Sequence, residues 1–271
     1  MTGRVAVSPT WPAIVDEIVA SLRRALADPL AGIYLYGSAV VGGFDEGVSD
    51  VDLIAVTRDD ASRLDLASLG RMHDELAGRH PDWKDRIEIV YVGEPTLRTF
   101  RGGGPVAVIS PGEPLHLVDG ANLWLQNWYL ARLTSTALIG PARETMFPKV
   151  SVDEFVAAVA RYAAEVKDRS LDSMGPGSRA YTVLTMCRAL RTVSTRRPSS
   201  KQEGAAWTAR LLPQWNTLIE EALACRASGG RRGFESRPTT IEASMFVRQI
   251  SADVARISGS SAQIQGRVRK T

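Results

Sequence analysis

Leu35-Tyr36-Gly37-Ser38, followed by Ser49-Asp50-Val51-Asp52-Leu53-Ile54-Ala55-Val56, is the passage on which the reading of this chain turns. An apolar run over residues 32–36 reads as a strand leaving into a turn at Gly37-Ser38, and a second apolar run opens on two aspartates with one residue between them. Side chains alternate faces along a strand, so Asp50 and Asp52 point the same way and can share a divalent cation. Carboxylate oxygens bind Mg2+ together with substrate phosphates, Gly37 lets the backbone come close to a phosphate, and Ser38 offers a hydroxyl. Asp-x-Asp alone is common in turns and caps, and Gly-Ser is commoner still. Each at the correct end of its own strand, joined by the short segment 39–48, they read together as a nucleoside triphosphate site.

Outward from this passage the chain alternates elements. Residues 12–27 carry Ile14, Val15, Ile18, Val19, Leu22, Ala25 and Leu26 on one helical stripe, with Pro12 in the first turn and Asp28-Pro29 as a stop. Strands are expected at 32–36 and 51–57, and a second amphipathic helix at 61–78 that buries Leu64, Leu66, Leu69, Met72 and Leu76. Residues 86–92 read as a strand from their β-branched content, with Ile87, Ile89 and Tyr91 on one face and Glu88, Val90 and Val92 on the other. A carboxylate on such a strand is costly to bury unless a cation meets it. Beside Asp50 and Asp52, Glu88 becomes the third carboxylate of the site, ligating metal or taking a proton. The plainer alternative is a strand-end Glu facing water or paired with Arg86. A short strand at 106–109 and a helix over 123–138, ended by Gly140-Pro141, complete this part.

After residue 150 the spacing is helical only, over 152–169, 179–194, 204–212, 216–227 and 241–257. The expected organisation is residues 1–150 as one domain of mixed α/β (α+β) type with a short mixed sheet, 151–258 as an all-helical domain, and 259–271 as a disordered tail.

Composition narrows the function classes. Of 271 residues, 44% are hydrophobic and 23% charged, as in a folded soluble protein. The net charge of +3 fits an anionic nucleotide but is too mild to argue for nucleic acid. Arg196-Arg197 and Arg231-Arg232 are the sole support for a nucleic-acid partner, and basic loops are usually just solvated. Cys187 and Cys225 lack CxxC spacing, and Cys187 has no partner base, so the expected home is a reducing cytoplasm and the expected role is packing. His73, His80 and His116 have no metal-like spacing. Trp124, Trp128 and Tyr129 form a stripe that reads as core or as a wall of the site. Residues 1–12 lack a basic segment followed by an apolar one, and no apolar run approaches bilayer length, so no membrane partner is expected. Oligomeric state is not legible.

The Gly-Ser and Asp-x-Asp pair resembles the signature of the DNA polymerase beta-like nucleotidyltransferase superfamily. The fuller wording Leu-Tyr-Gly-Ser-Ala-Val-x-Gly-Gly, then Ser-Asp-x-Asp-Leu, is similar to the aminoglycoside adenylyltransferases that inactivate streptomycin and spectinomycin. Leu184-Thr185-Met186-Cys187-Arg188, with Lys201 thirteen residues on and Trp207 beyond, resembles that family's Leu-Thr-Leu-x-Arg and Pro-Lys-x-x-Ala-x-x-Trp passage. The resemblance implies an amino-terminal nucleotidyltransferase domain and a helical domain with ATP and an aminoglycoside or aminocyclitol in the cleft between them. It implies Mg2+ on Asp50 and Asp52, Glu88 as base or further metal ligand, phosphate contacts from Gly37, Ser38 and Ser49, and Arg188 and Lys201 on the leaving pyrophosphate. Family members acting on streptomycin carry a tryptophan and aspartates before Leu-Thr-Leu-x-Arg, whereas residues 169–179 here hold no tryptophan and only Asp172. Family members also carry a tyrosine near the nucleotide in a later helix, where this chain reads Cys225-Arg226-Ala227-Ser228. Two other readings stay open: nucleotidyl transfer to another small molecule or a protein, and a non-catalytic, antitoxin-like module on the same fold.

Overall fold

The structure, a computed structural model, describes residues 10–42, 44, 45, 47–230, 234 and 237–268. It divides into two compact units, Met1–Lys149 and Val150–Thr271.

The first unit is built on a six-stranded sheet of order β5-β4-β3-β2-β1-β6. Its strands are β1 (Leu30–Tyr36), β2 (Val51–Thr57), β3 (Ile87–Gly93), β4 (Pro105–Ser110), β5 (Glu113–Asp119) and β6 (Thr136–Ile139). Only β2 and β3 run parallel, because the chain between them crosses over through a helix. That crossover is α3 (Leu66–Arg79), whose start is capped by the Asp65 carboxylate accepting from Ser68 N–H. Ahead of the sheet, α1 (Trp11–Leu26) buries Ile14, Val15, Ile18, Leu22 and Leu26, as its stripe requires, and places Arg23 and Arg24 where the negative end of the helix dipole favours cations. These side chains join Ile33, Leu35, Val51, Leu53, Ala55, Ile89 and Tyr91 in one core, so α1 and α3 cover a single face of the sheet. Each fully buried side chain of this size contributes about 1.5–3 kcal/mol.

The opposite face carries the alternate residues. Its apolar part, including Tyr34, Ile54, Val56, Val90 and Val92, is buried. Trp128 on α5 (Leu125–Thr134) and Phe147, just past the short helix α6 (Arg143–Met146), belong to this layer: the Tyr34 ring meets Phe147 edge-on at 4.8 Å, and Phe147 stacks on Trp128 at 6.5 Å. Trp128 is therefore core, its Nε1–H donating to the Ala121 carbonyl at 2.8 Å. Short helical pieces of the unit include α2 (Ser38–Val41) after β1, α4 (Glu94–Thr99) after β3, and a 3-10 turn at Ala121–Trp124.

The segment expected as one helix over 123–138 is split. It is a 3-10 turn, then α5, then β6 laid antiparallel along β1. β5, absent from the sequence expectation, forms a hairpin with β4 at the edge of the sheet.

The second unit is helical: α7 (Val152–Val166), α8 (Pro176–Thr195), α9 (Lys201–Leu211), α10 (Asn216–Ala227) and α11 (Arg237–Val268). Capping boxes start α7, with Ser151 and Glu154, and α9, with Ser200 and Glu203. The middle helix, α8, packs against α7, α9, α10 and α11, which is why its buried positions run almost all the way round. Cys187 lies in this core, and burial pushes its thiol up to about 12, so it acts as a small apolar residue. Residues 259–268, expected as a disordered tail, continue α11, and 269–271 lie outside the described residues.

Candidate active site

The motif turn begins where β1 ends. Tyr36 stands opposite Asp52 in the antiparallel β1/β2 register, and Asp52 stands beside Glu88 in the parallel β2/β3 register. Residues paired in register share a face, so Tyr36, Asp52 and Glu88 form a row across three strands, with backbones about 4.8 Å apart from strand to strand. Asp50 lies one residue ahead of β2, and all three carboxylates are half-buried. Glu88 thus stands beside Asp52.

Gly37 is fixed by its surroundings. Its φ of +69° is one that side chains rarely adopt, and a Cβ there would lie 2.0 Å from Asp52 Oδ2. The missing side chain is what lets the Asp52 carboxylate pack close against the turn. Ser38 opens α2 and is half-buried, and the Gly37 carbonyl accepts from Val40 and Val41 N–H at 3.2 Å, which tightens the turn.

Ser49, expected at the phosphates, is corrected by the structure. It is 1% exposed, and its hydroxyl accepts from Asp45 N–H at 3.0 Å while its own N–H donates to the Asp45 carbonyl at 2.7 Å. The hydroxyl closes the loop that delivers Asp50, and it faces inward.

Among the described residues, no group of three or more His, Cys, Asp or Glu side chains is gathered so as to hold a metal ion by itself. What the backbone provides is Asp52 in register with Glu88 on the next strand, and Asp50 just ahead of the strand that carries Asp52. That donor set suits Mg2+, which takes one or two carboxylates and fills the rest of its shell with phosphate oxygens and water.

Two residues that sequence reasoning passed over adjoin these carboxylates. Tyr36 lies inside the quoted motif, and its hydroxyl accepts from Asn127 Nδ2 on α5 at 3.1 Å; its parity with the strand was the available signal. Arg86 precedes β3, and its guanidinium donates to the Ser49 carbonyl at 2.7 Å. The sequence offered Arg86 only as a partner for Glu88.

In the second unit, Arg188 is half-buried on α8 and Lys201 opens α9. A Cβ on Gly204 would stand 2.7 Å from the Arg188 Cα and N, so the absence of a side chain there lets the first turn of α9 press against α8 at Arg188. Lys201 Nζ lies 4.1 Å from the Tyr181 ring centroid, and Tyr181 is two turns before Arg188 on the same stripe of α8. Tyr162 on α7 adjoins this stripe: its phenol is pushed up by burial and by Tyr181, with Arg169 and Arg188 opposing. Lys201 and Arg188 therefore stand on touching helices among tyrosine rings.

Residues 15–97 match the family model described as a nucleotidyltransferase domain, and residues 145–253 match that of the aminoglycoside adenylyltransferase C-terminal domain. The chain belongs to the aminoglycoside adenylyltransferase family. Among this family's members, a spectinomycin 9-adenylyltransferase of Campylobacter jejuni is 23% identical over 79% of this chain and 92% of its own length. An aminoglycoside (3'') (9) adenylyltransferase of Escherichia coli is 25% identical over 90% of this chain and 95% of its own. The fold matches the crystal structure of a spectinomycin adenyltransferase from Enterococcus faecialis, solved with ATP and spectinomycin, at a TM-score of 0.72 and 17% identity, covering 90% of this chain and 99% of that one. A mixed α/β nucleotidyltransferase domain followed by a helical region is thus the family architecture as well as the one built here from the residues.

Proposed function

We propose that the protein catalyses Mg2+-dependent transfer of AMP from ATP to a hydroxyl of an aminoglycoside or aminocyclitol antibiotic of the spectinomycin type, and that this confers resistance. The observation that carries the proposal is the row in which Asp52 and Glu88 stand in register on parallel strands, with Gly37 admitting the Asp52 carboxylate close against the motif turn. Asp50 and Asp52 are the residues to hold Mg2+, which when bound neutralises charge on the triphosphate. Glu88 accepts the proton of the acceptor hydroxyl. The hydroxyl oxygen then forms its bond to the α-phosphorus of ATP in line with the bridging oxygen, whose bond breaks as pyrophosphate leaves. Gly37 and Ser38 offer a close backbone and a hydroxyl to the phosphates, and Arg188 and Lys201 offset the added charge of the leaving group.

Spectinomycin is favoured over streptomycin by residues 169–179. Polycationic aminoglycosides need carboxylates and stacking surfaces, and this stretch offers Asp172, exposed within a 3-10 turn at Leu171–Ser173, and no tryptophan. The expected location is the cytoplasm, where ATP is available; among the described residues no helix is long and apolar enough to cross a membrane, and both cysteines are free and buried. The test is pyrophosphate release with Mg2+ and ATP on adding spectinomycin, with streptomycin as comparison. Release with spectinomycin supports the reading, and no release with either drug overturns it.

A further inference from the structure

Asp50 lies one residue ahead of β2, whose first registered pair with β3 is Val51 with Ile87. The ladder that fixes Asp52 therefore stops short of Asp50, yet both peptide groups flanking Asp50 are anchored, and both anchors belong to Arg86. The Val51 N–H donates to the Arg86 carbonyl at 2.9 Å, and the Arg86 Nη2–H donates to the Ser49 carbonyl at 2.7 Å. Where a strand would continue with a main-chain donor, a guanidinium takes its place. Arg86 is itself held: its N–H donates to the Trp83 carbonyl at 3.1 Å, and its guanidinium carbon lies 4.3 Å from the centroid of the Trp83 ring, which is 3% exposed. On the other side, the turn at Asp45 fixes Ser49 through its N–H and its hydroxyl.

We propose that Arg86 is a positioning residue for Asp50: by clamping the main chain on both sides of it, Arg86 sets the direction in which this carboxylate meets Mg2+ and the triphosphate. The planar fork of an arginine can stack on Trp83 and donate to a carbonyl at once, whereas a lysine ammonium is a point charge on a flexible stem. A merely structural Arg86 would affect folding and leave the metal dependence of nucleotide binding alone. The inference rests on the proposed role of Asp50 toward Mg2+.

The test is calorimetric ATP binding by the full chain in Mg2+ and in EDTA, for the wild type, Arg86→Lys and Arg86→Gln, with thermal melts to establish that each is folded. Outer partners of metal ligands are worth about 10–100-fold in affinity. The gain in ATP affinity on adding Mg2+ is expected to shrink about ten-fold or more in Arg86→Lys, with binding in EDTA retained. Arg86→Gln, neutral and too short to reach the Ser49 carbonyl from the same backbone, should lose at least as much of the gain; it also keeps the proposal open to refutation should Arg86→Lys fail to fold. An undiminished Mg2+ gain in a folded variant overturns the role of Arg86. No Mg2+ gain in the wild type would overturn instead the reading of Asp50 on which the inference rests.

Discussion

A single methyl group added at position 37 would meet Asp52 Oδ2 at 2.0 Å and would have to be carried at a φ of +69°. The backbone alone costs about 1–3 kcal/mol in such a conformation, and relief of the clash has to come from the carboxylate that the site needs. Gly37→Ala should therefore lower stability by about 2 kcal/mol in denaturant unfolding and lose more adenylyl transfer than that destabilisation explains. Strand parity was what the sequence made legible at this scale. The spacing of Asp50 and Asp52, and the parity of Glu88, follow from strand alternation alone, and the register confirms that Asp52 and Glu88 are neighbours. Ser49 was misread because a hydroxyl beside two aspartates looks the same in sequence whether it faces a phosphate or closes its own loop on Asp45.

Elements were legible where local pattern and local caps agreed. The helices of the second unit show helical spacing, and two of them start at reciprocal Ser and Glu caps. β5 and β6 were not legible: both are edge strands, β5 a hairpin partner of β4 and β6 made by pairing to the distant β1. β5 begins Glu113-Pro114 at the rim, and Thr136–Ile139 continues the apolar spacing of α5 without an intervening Gly or Pro. The packing of α9 on α8 makes its own prediction. Because Gly204 abuts the Arg188 backbone, Gly204→Val must push the helices apart. It should cost about 1–3 kcal/mol in thermal melts, and it should weaken ATP binding if Arg188 and Lys201 serve the triphosphate together.

At the scale of the whole molecule, one buried pair ties the stability of the first unit to pH. His73 on α3 is 6% exposed and bonds Tyr91 on β3 at 2.7 Å between Nε2 and the phenol oxygen. Burial pulls the imidazole down from 6.5 to about 4, against a smaller opposing effect of Asp74. Below 6.5 the unfolded chain takes up a proton that the folded one refuses. Stability is therefore whole above that value and falls progressively toward the folded value of about 4. The loss should reach about 2 kcal/mol by pH 5, and His73→Gln should remove that part of the slope in melts across pH 7 to pH 4.

The same molecule joins this buried packing layer to a row of acids at one end of its sheet, and the transfer chemistry rests on that row. Its most direct test is incorporation of the labelled α-phosphate of ATP into spectinomycin by the wild type, Asp52→Asn and Glu88→Gln, with Mg2+ present. Stable incorporation by the wild type, its abolition in Asp52→Asn, and a fall of about 10²–10⁴-fold in Glu88→Gln are expected. Equal labelling by all three proteins, or none by any of them, would contradict the assignment of adenylyl transfer to this row of carboxylates.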